Sequence, residues 1–149
     1  EAIRIYRAHY KENSMSGNDL FDGVLPMLDE FLKRGKTLAI ATSKPIEVAM
    51  PILNDLEITD RFSFIGGSSL SGERPHKIDV IRHVLSELKV SDLSQVVMIG
   101  DRHYDIEGAK LAGIDSIGVL YGYGEEEELR NAGADALAPL AIDLLNIIK

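Results

Sequence analysis

Two carboxylates, Asp101 and Asp105, follow the apolar run Val96-Val97-Met98-Ile99-Gly100. A valine-rich run that stops at Gly-Asp predicts a buried strand with Asp101 at the carboxyl edge of a sheet, where open α/β folds bind ligands. If a helix starts within the next few residues, Asp105 falls about one turn on and faces the same point. Such a pair suits a hard cation such as Mg²⁺, which takes a few carboxylate oxygens together with water and substrate phosphate. The same residues also fit a plainer role, with Asp101 in the turn and Asp105 as a helix N-terminal charge.

Three further side chains could join them. Thr42 and Ser43 end a short apolar run and precede a helix pattern, where a hydroxyl and free backbone N–H groups can bind a phosphate oxygen. Ser43 followed by Pro45 is equally a good helix-start signal, so Ser43 could cap the helix while Thr42 binds ligand. Lys77 opens another helix, where positive charge opposes the helix dipole unless the ammonium meets a phosphate or the Asp101 carboxylate. A solvated surface lysine is the alternative. His76 and His103 match no zinc spacing, which makes them loop histidines. Gly118, Gly122 and Gly124 lack the dinucleotide-binding spacing, and neither a phosphate loop ending in Gly-Lys-Ser/Thr nor a Gly-x-Ser-x-Gly elbow is present.

The elements that must position these groups alternate along the chain. Helical spacing of Ile3, Tyr6 and Tyr10 predicts a helix over 2–12, broken from Ser14 to Gly17. A second helix opens at Asp22-Gly23 and ends at Gly35. Strands are predicted at 37–42, 62–65, 96–100, 117–120 and 136–138. Helices are predicted from Ser43 to about Leu56, 76–88, after Asp101 to about Ala112, around Glu125 to Asn131, and from Pro139 onward. Gly66 to Gly72 reads as a loop. The run Glu125–Glu128 reads as an acidic first helical turn favoured by the macrodipole. Strands alternating with helices imply an α/β protein whose parallel sheet carries helices on both faces, joined by right-handed crossovers. Chemistry should then gather at the strand carboxyl ends.

Composition narrows the partners. The 149 residues suffice for one domain with a real core. A net charge of −8 argues against a nucleic-acid backbone as the main partner. The absence of cysteine removes disulfides and thiolate chemistry and is compatible with a reducing cytoplasm, the expected location. No apolar run approaches a membrane span and no signal-peptide pattern opens the chain, so no membrane partner is expected. Glu1-Ala2-Ile3-Arg4 reads as the middle of a helix, which suggests a segment of something longer.

The order of the motifs is more specific than any one of them. A hydroxyl after one strand, a lysine opening a later helix, then Gly-Asp-x-x-x-Asp after the next strand resembles the haloacid dehalogenase (HAD) superfamily. Leu38-Ala39-Ile40-Ala41-Thr42-Ser43-Lys44-Pro45 resembles its second motif, Lys77 the third, and Gly100-Asp101 through Gly113-Ile114 the metal-binding fourth. The segments Ser116–Gly124 and Asn131–Asp135 are similar to the phosphoglycolate phosphatase-like branch.

The resemblance implies a HAD-like, Rossmann-like fold of three α/β/α layers. It also implies phosphoryl transfer to an aspartate, followed by hydrolysis of the aspartyl phosphate. Positioning and electrostatics supply most of such catalysis. Carried over, Asp101 is a Mg²⁺ ligand and Asp105 supports the metal site directly or through water. Thr42, with Ser43, binds phosphoryl oxygens, and Lys77 neutralises phosphoryl charge and steadies the nucleophile. The family's first motif, Asp-x-Asp-x-Thr, is absent. Its strand lies mid-sheet in the family, between the strands at 37–42 and 96–100. Residues 1–14 then read as the end of a helical cap and 15–149 as the core, with an N-terminal segment needed to complete the sheet. The isolated chain is expected to be inactive and poorly folded.

The expected substrate is a small phosphorylated metabolite, with phosphoglycolate, nucleoside monophosphates and pyrophosphate all compatible. The alternative is a non-catalytic HAD-like module that binds a phosphorylated ligand or partner. A response-regulator receiver is disfavoured, because it expects its acidic residues on the first strand.

Overall fold

The computed structural model describes residues 19–149. The helix expected over 2–12, its break at Ser14–Gly17 and the cap segment 1–14 lie outside the described residues. From there strands and helices alternate: α1 (Val24–Lys33), β1 (Ala39–Pro45), α2 (Ile46–Asp55), β2 (Phe64–Ser68), α3 (Lys77–Glu87), β3 (Val97–Gly100), α4 (His103–Ala112), β4 (Asp115–Val119), α5 (Glu126–Ala132), β5 (Ala136–Ala138) and α6 (Leu144–Ile147).

All strand pairs are parallel, but they form two sheets rather than one: β1 with β2, and β3–β4–β5 in that order. β1 and β3 are not paired with each other. A cleft of about 1350 Å³ is lined by Ala39–Pro45 on one side and by Val96–Asp101 on the other. The consequence is visible in burial. β4, with a strand on each side, buries Ser116 to Val119. β3, paired on one side only, leaves Val97, Met98 and Ile99 half-buried, against the expectation of a fully buried strand.

Alternate side chains of β3 leave the sheet on opposite faces, as the period of two requires. Val97 and Ile99 pack with Met27, Leu28 and Phe31 of α1 and with Ile117 and Val119 of β4. Val96 and Met98 meet Ile81 of α3 and Ala109 of α4 on the other side. Leu38 and Phe62, just ahead of β1 and β2, join the first cluster, and Ala41 of β1 joins the second. A fully buried side chain such as Leu144 of the first cluster contributes roughly 1.5–3 kcal/mol to holding that cluster together.

Three boundaries differ from expectation, each for a local reason. β1 runs on to Pro45, and α2 starts at Ile46 with Pro45 as N-cap and no side-chain cap. Ser43 is therefore not the cap. It is exposed, and its carbonyl accepts a hydrogen bond from Ser68 Oγ at 2.9 Å. β2 extends through Gly66-Gly67-Ser68, which pair with Ala41, Thr42 and Pro45; glycines carry no side chain to signal a strand. At the C-terminus Asp143 Oδ2 accepts the Leu140 N–H at 2.9 Å, fixing a short turn, so α6 begins only at Leu144 rather than from Pro139.

Candidate active site

The turn from β3 into α4 is organised by Asp105. Its Oδ2 accepts the backbone N–H groups of Asp101 (3.1 Å) and Arg102 (3.2 Å), satisfying donors that a helix start otherwise leaves orphaned. This folding-back requires Gly100, because a Cβ there would lie 2.2 Å from the Asp105 Cβ. Gly-Asp-x-x-x-Asp is thus a structural unit. Asp105 is only 8% exposed, and its remaining oxygen, Oδ1, lies 2.6 Å from the Lys77 ammonium.

Lys77 is not a solvated surface lysine. Its side chain and that of Asp105 are 10% and 11% exposed, and its ammonium also donates to the Ala41 carbonyl of β1. Two desolvated charges are held together only where geometry and further hydrogen bonds offset the loss of water. Here the ammonium has an oxygen partner on each side of the cleft. One side chain therefore ties the carboxyl end of the two-stranded sheet to the helix after the three-stranded one.

Asp101 lies at the carboxyl end of β3 and is held from outside its own loop. Its Oδ2 accepts the Tyr123 N–H at 2.7 Å. The segment after β4 can come this close because Gly122 and Gly124 lack side chains: a Cβ at Gly122 would stand 2.3 Å from the Asp101 Cβ, and one at Gly124 would stand 1.8 Å from its carbonyl oxygen. Tyr121 is partly buried beside this carboxylate. Burial first, and then the Asp101 charge, push its phenol above the usual range, so it stays protonated.

Thr42 Oγ1 accepts the Lys44 N–H at 3.1 Å, closing a tight turn ahead of α2. Its O–H has no acceptor among the described residues. Thr42, Ser43, Lys77, Asp101 and Asp105 all line the one cleft between the sheets. His76 is exposed at the start of α3, and His103 turns its Nδ1 to Glu128 at 2.8 Å, so both keep the non-ligand reading. Sequence reasoning missed Tyr123, Gly122, Gly124 and Glu128. The paired glycines of the Ser116–Gly124 segment are the signal in the sequence for this close backbone approach.

Among the described residues no three His, Cys, Asp or Glu side chains surround a common point suited to a metal. Mg²⁺ is compatible, because it binds through one or two carboxylates plus water and phosphate oxygens. The donor inventory separates the two aspartates. Asp101 Oδ1 has no partner among the described residues, whereas both oxygens of Asp105 are engaged.

Parallel strands alternating with helices, with Thr42, Asp101, Asp105 and Lys77 lining one cleft beside β1 and β3, define the class as an α/β protein with a polar cleft at its strand ends. The model of the haloacid dehalogenase-like hydrolase family matches residues 1–119, and the chain belongs to that family. It falls in the phosphoglycolate phosphatase-like branch. It is 37% identical over 134 residues to a phosphoglycolate phosphatase of Colwellia psychrerythraea, covering 89% of this chain and 58% of that protein. It is 41% identical over 127 residues to the tyrosine-protein kinase PtkA of Mycobacterium tuberculosis, covering 85% of this chain and 43% of PtkA. The crystal structure of a predicted phosphatase from Clostridium acetobutylicum superposes with a TM-score of 0.92 at 38% identity, covering 99% of this chain and 68% of that one. The chain spans about half the length of these two curated relatives.

Proposed function

We propose that this chain supplies most of the core of a Mg²⁺-dependent phosphatase of small phosphate monoesters. The reaction passes through an aspartyl phosphate whose aspartate lies on a strand outside this sequence. The observation that carries the reading is the Lys77 ammonium, held between the Ala41 carbonyl and Asp105 in the wall of a cleft that Thr42 and Asp101 also line.

Each residue has work suited to its position. Thr42 donates its O–H to a phosphoryl oxygen, helped by the uncapped N-terminus of α2 and the neighbouring Ser43. Lys77 offsets phosphoryl charge from a site shielded from bulk water, where a fixed cation counts for more. Asp101 would hold Mg²⁺, and Asp105 would support the metal by fixing the Asp101 loop. When bound, the ion screens negative charge on the phosphoryl oxygens. A strand carrying the nucleophile would lie in the cleft, since among the described residues no strand stands between β1 and β3. In this reading residues 1–14 end a helical cap and 15–149 form the core. Among the described residues no helix is long and apolar enough to cross a membrane. A cytoplasmic location accords with the lack of cysteine.

The test is a screen of phosphoglycolate, nucleoside monophosphates and pyrophosphate with the full-length protein, with and without Mg²⁺. Phosphate release that stops on chelation supports the proposal. Binding of phosphorylated ligands without turnover would replace it with a non-catalytic module.

A further inference from the structure

Of the four glutamates in Glu125–Glu128, Glu125, Glu126 and Glu127 are exposed, and Glu126 pairs with Arg130 one turn on at 2.7 Å. Those three fit an acidic helix start. Glu128 does not. Its Oε1 turns back across the space between α5 and α4 and meets three groups of the loop that follows Asp101. It accepts from Arg102 Nε at 2.8 Å and from the His103 backbone N–H at 2.9 Å, and lies 2.8 Å from His103 Nδ1.

We infer that Glu128 is a positioning residue for the Asp101 carboxylate, and so for the metal that carboxylate would hold; this rests on the proposed function. The geometry is a bracket. Residues 122–128 touch the loop at its side chain, where the Tyr123 N–H meets Asp101 Oδ2. They touch its main chain, where Gly124 lies against the Asp101 carbonyl. Glu128 then holds the two residues after it. From the other side Asp105 takes the Asp101 and Arg102 N–H groups. The N–H groups of Asp101, Arg102 and His103 therefore all end on carboxylates, and this helix start serves as a mount for Asp101 rather than as a phosphate cradle. Arg102 is locked in turn, with its guanidinium carbon 5.6 Å from the centre of the Tyr104 ring. Partners that orient a metal-holding carboxylate commonly matter about 10–100-fold to metal affinity or activity without touching the metal.

The experiment uses the full-length protein and three variants, Glu128→Gln, Glu128→Asp and, as a control on the exposed face, Glu127→Gln. Turnover of p-nitrophenyl phosphate is measured beside Mg²⁺ affinity by calorimetry. Glu128→Gln should lower kcat and weaken Mg²⁺ binding, each by about 10–100-fold. KM should move much less, because the loss falls on the reacting centre rather than on uniform substrate binding. Glu128→Asp should fall between wild type and the glutamine variant, and Glu127→Gln should match wild type. Wild-type Mg²⁺ affinity in Glu128→Gln overturns the inference, whatever happens to kcat. If that variant does not fold, wild-type values in Glu128→Asp overturn it instead. A wild-type protein that binds Mg²⁺ but hydrolyses no ester removes the proposed function, while the Mg²⁺ titration still decides the role of Glu128.

Discussion

Lys77 Nζ lies 2.6 Å from Asp105 Oδ1 while donating to the Ala41 carbonyl, so a single ammonium joins β1 of one sheet to α4, the helix that follows β3 of the other. Removing it should strand a nearly buried carboxylate. Lys77→Met is expected to destabilise the full-length protein by about 3–5 kcal/mol in urea unfolding. The double variant Lys77→Met/Asp105→Asn should recover a large part of that loss, since no charge is then left unpaired and an amide oxygen can still accept the Asp101 and Arg102 N–H groups. Equal stability of Lys77→Met and wild type would mean that the pair is not formed in solution.

Asp101 can be tested with little structural damage. Asp101→Asn keeps an oxygen able to accept the Tyr123 N–H while removing the charge that would hold Mg²⁺. Turnover should fall by roughly two orders of magnitude or more, on the scale of losing one electrostatic contributor at a reacting centre. The melting temperature should stay close to wild type. Unchanged turnover would remove Asp101 from the site.

The glycine contacts predict an asymmetry between two otherwise similar changes. At Gly35 an added Cβ meets nothing within 4 Å, but the backbone has φ +73°, so Gly35→Ala should cost only the left-handed strain of about 1–2 kcal/mol. At Gly124 the Cβ would fall 1.8 Å from the Asp101 carbonyl oxygen, and backbone must move. Gly124→Ala should therefore depress activity and Mg²⁺ affinity, whereas Gly35→Ala should alter only the melting temperature. Comparable activities for the two would argue against close packing of this loop on Asp101.

Glu128 also predicts an acid dependence. Its carboxyl is drawn from an ordinary 4.5 to about 2, chiefly by the Arg102 hydrogen bond and then by the His103 backbone and ring contacts. The folded state thus binds fewer protons than the unfolded chain in that window. The stability Glu128 contributes is complete above about pH 4.5 and is lost as pH falls toward 2. Urea midpoints followed between about pH 5 and pH 2 should decline less steeply in Glu128→Gln than in wild type. Parallel declines would count against these hydrogen bonds.

Local pattern made much of this legible. The apolar spacing of Val24, Leu28 and Phe31 found α1 with its Gly35 stop, and the run into Gly100-Asp101 found β3 and α4 to within a residue or two. β2 runs longer and α2 starts later than local pattern predicts, because Gly66-Gly67-Ser68 and Ser43-Lys44-Pro45 carry strong turn chemistry that pairing between β1 and β2 overrides. Glu128 was unreadable for another reason. In a run of four glutamates nothing local distinguishes the one whose partners lie 25 and 26 residues earlier.

By itself the sequence determined the alternation of strands and helices and the residue types at the strand carboxyl ends, since periodicity and motif order are properties of neighbouring residues. Only the tertiary structure decided that Lys77 reaches Asp105 and Ala41, that Tyr123 and two glycines close on Asp101, and that β1 and β3 face an open cleft. Those relationships join residues tens of positions apart. They depend on how helices on both faces bring the strand ends together, which no local preference encodes.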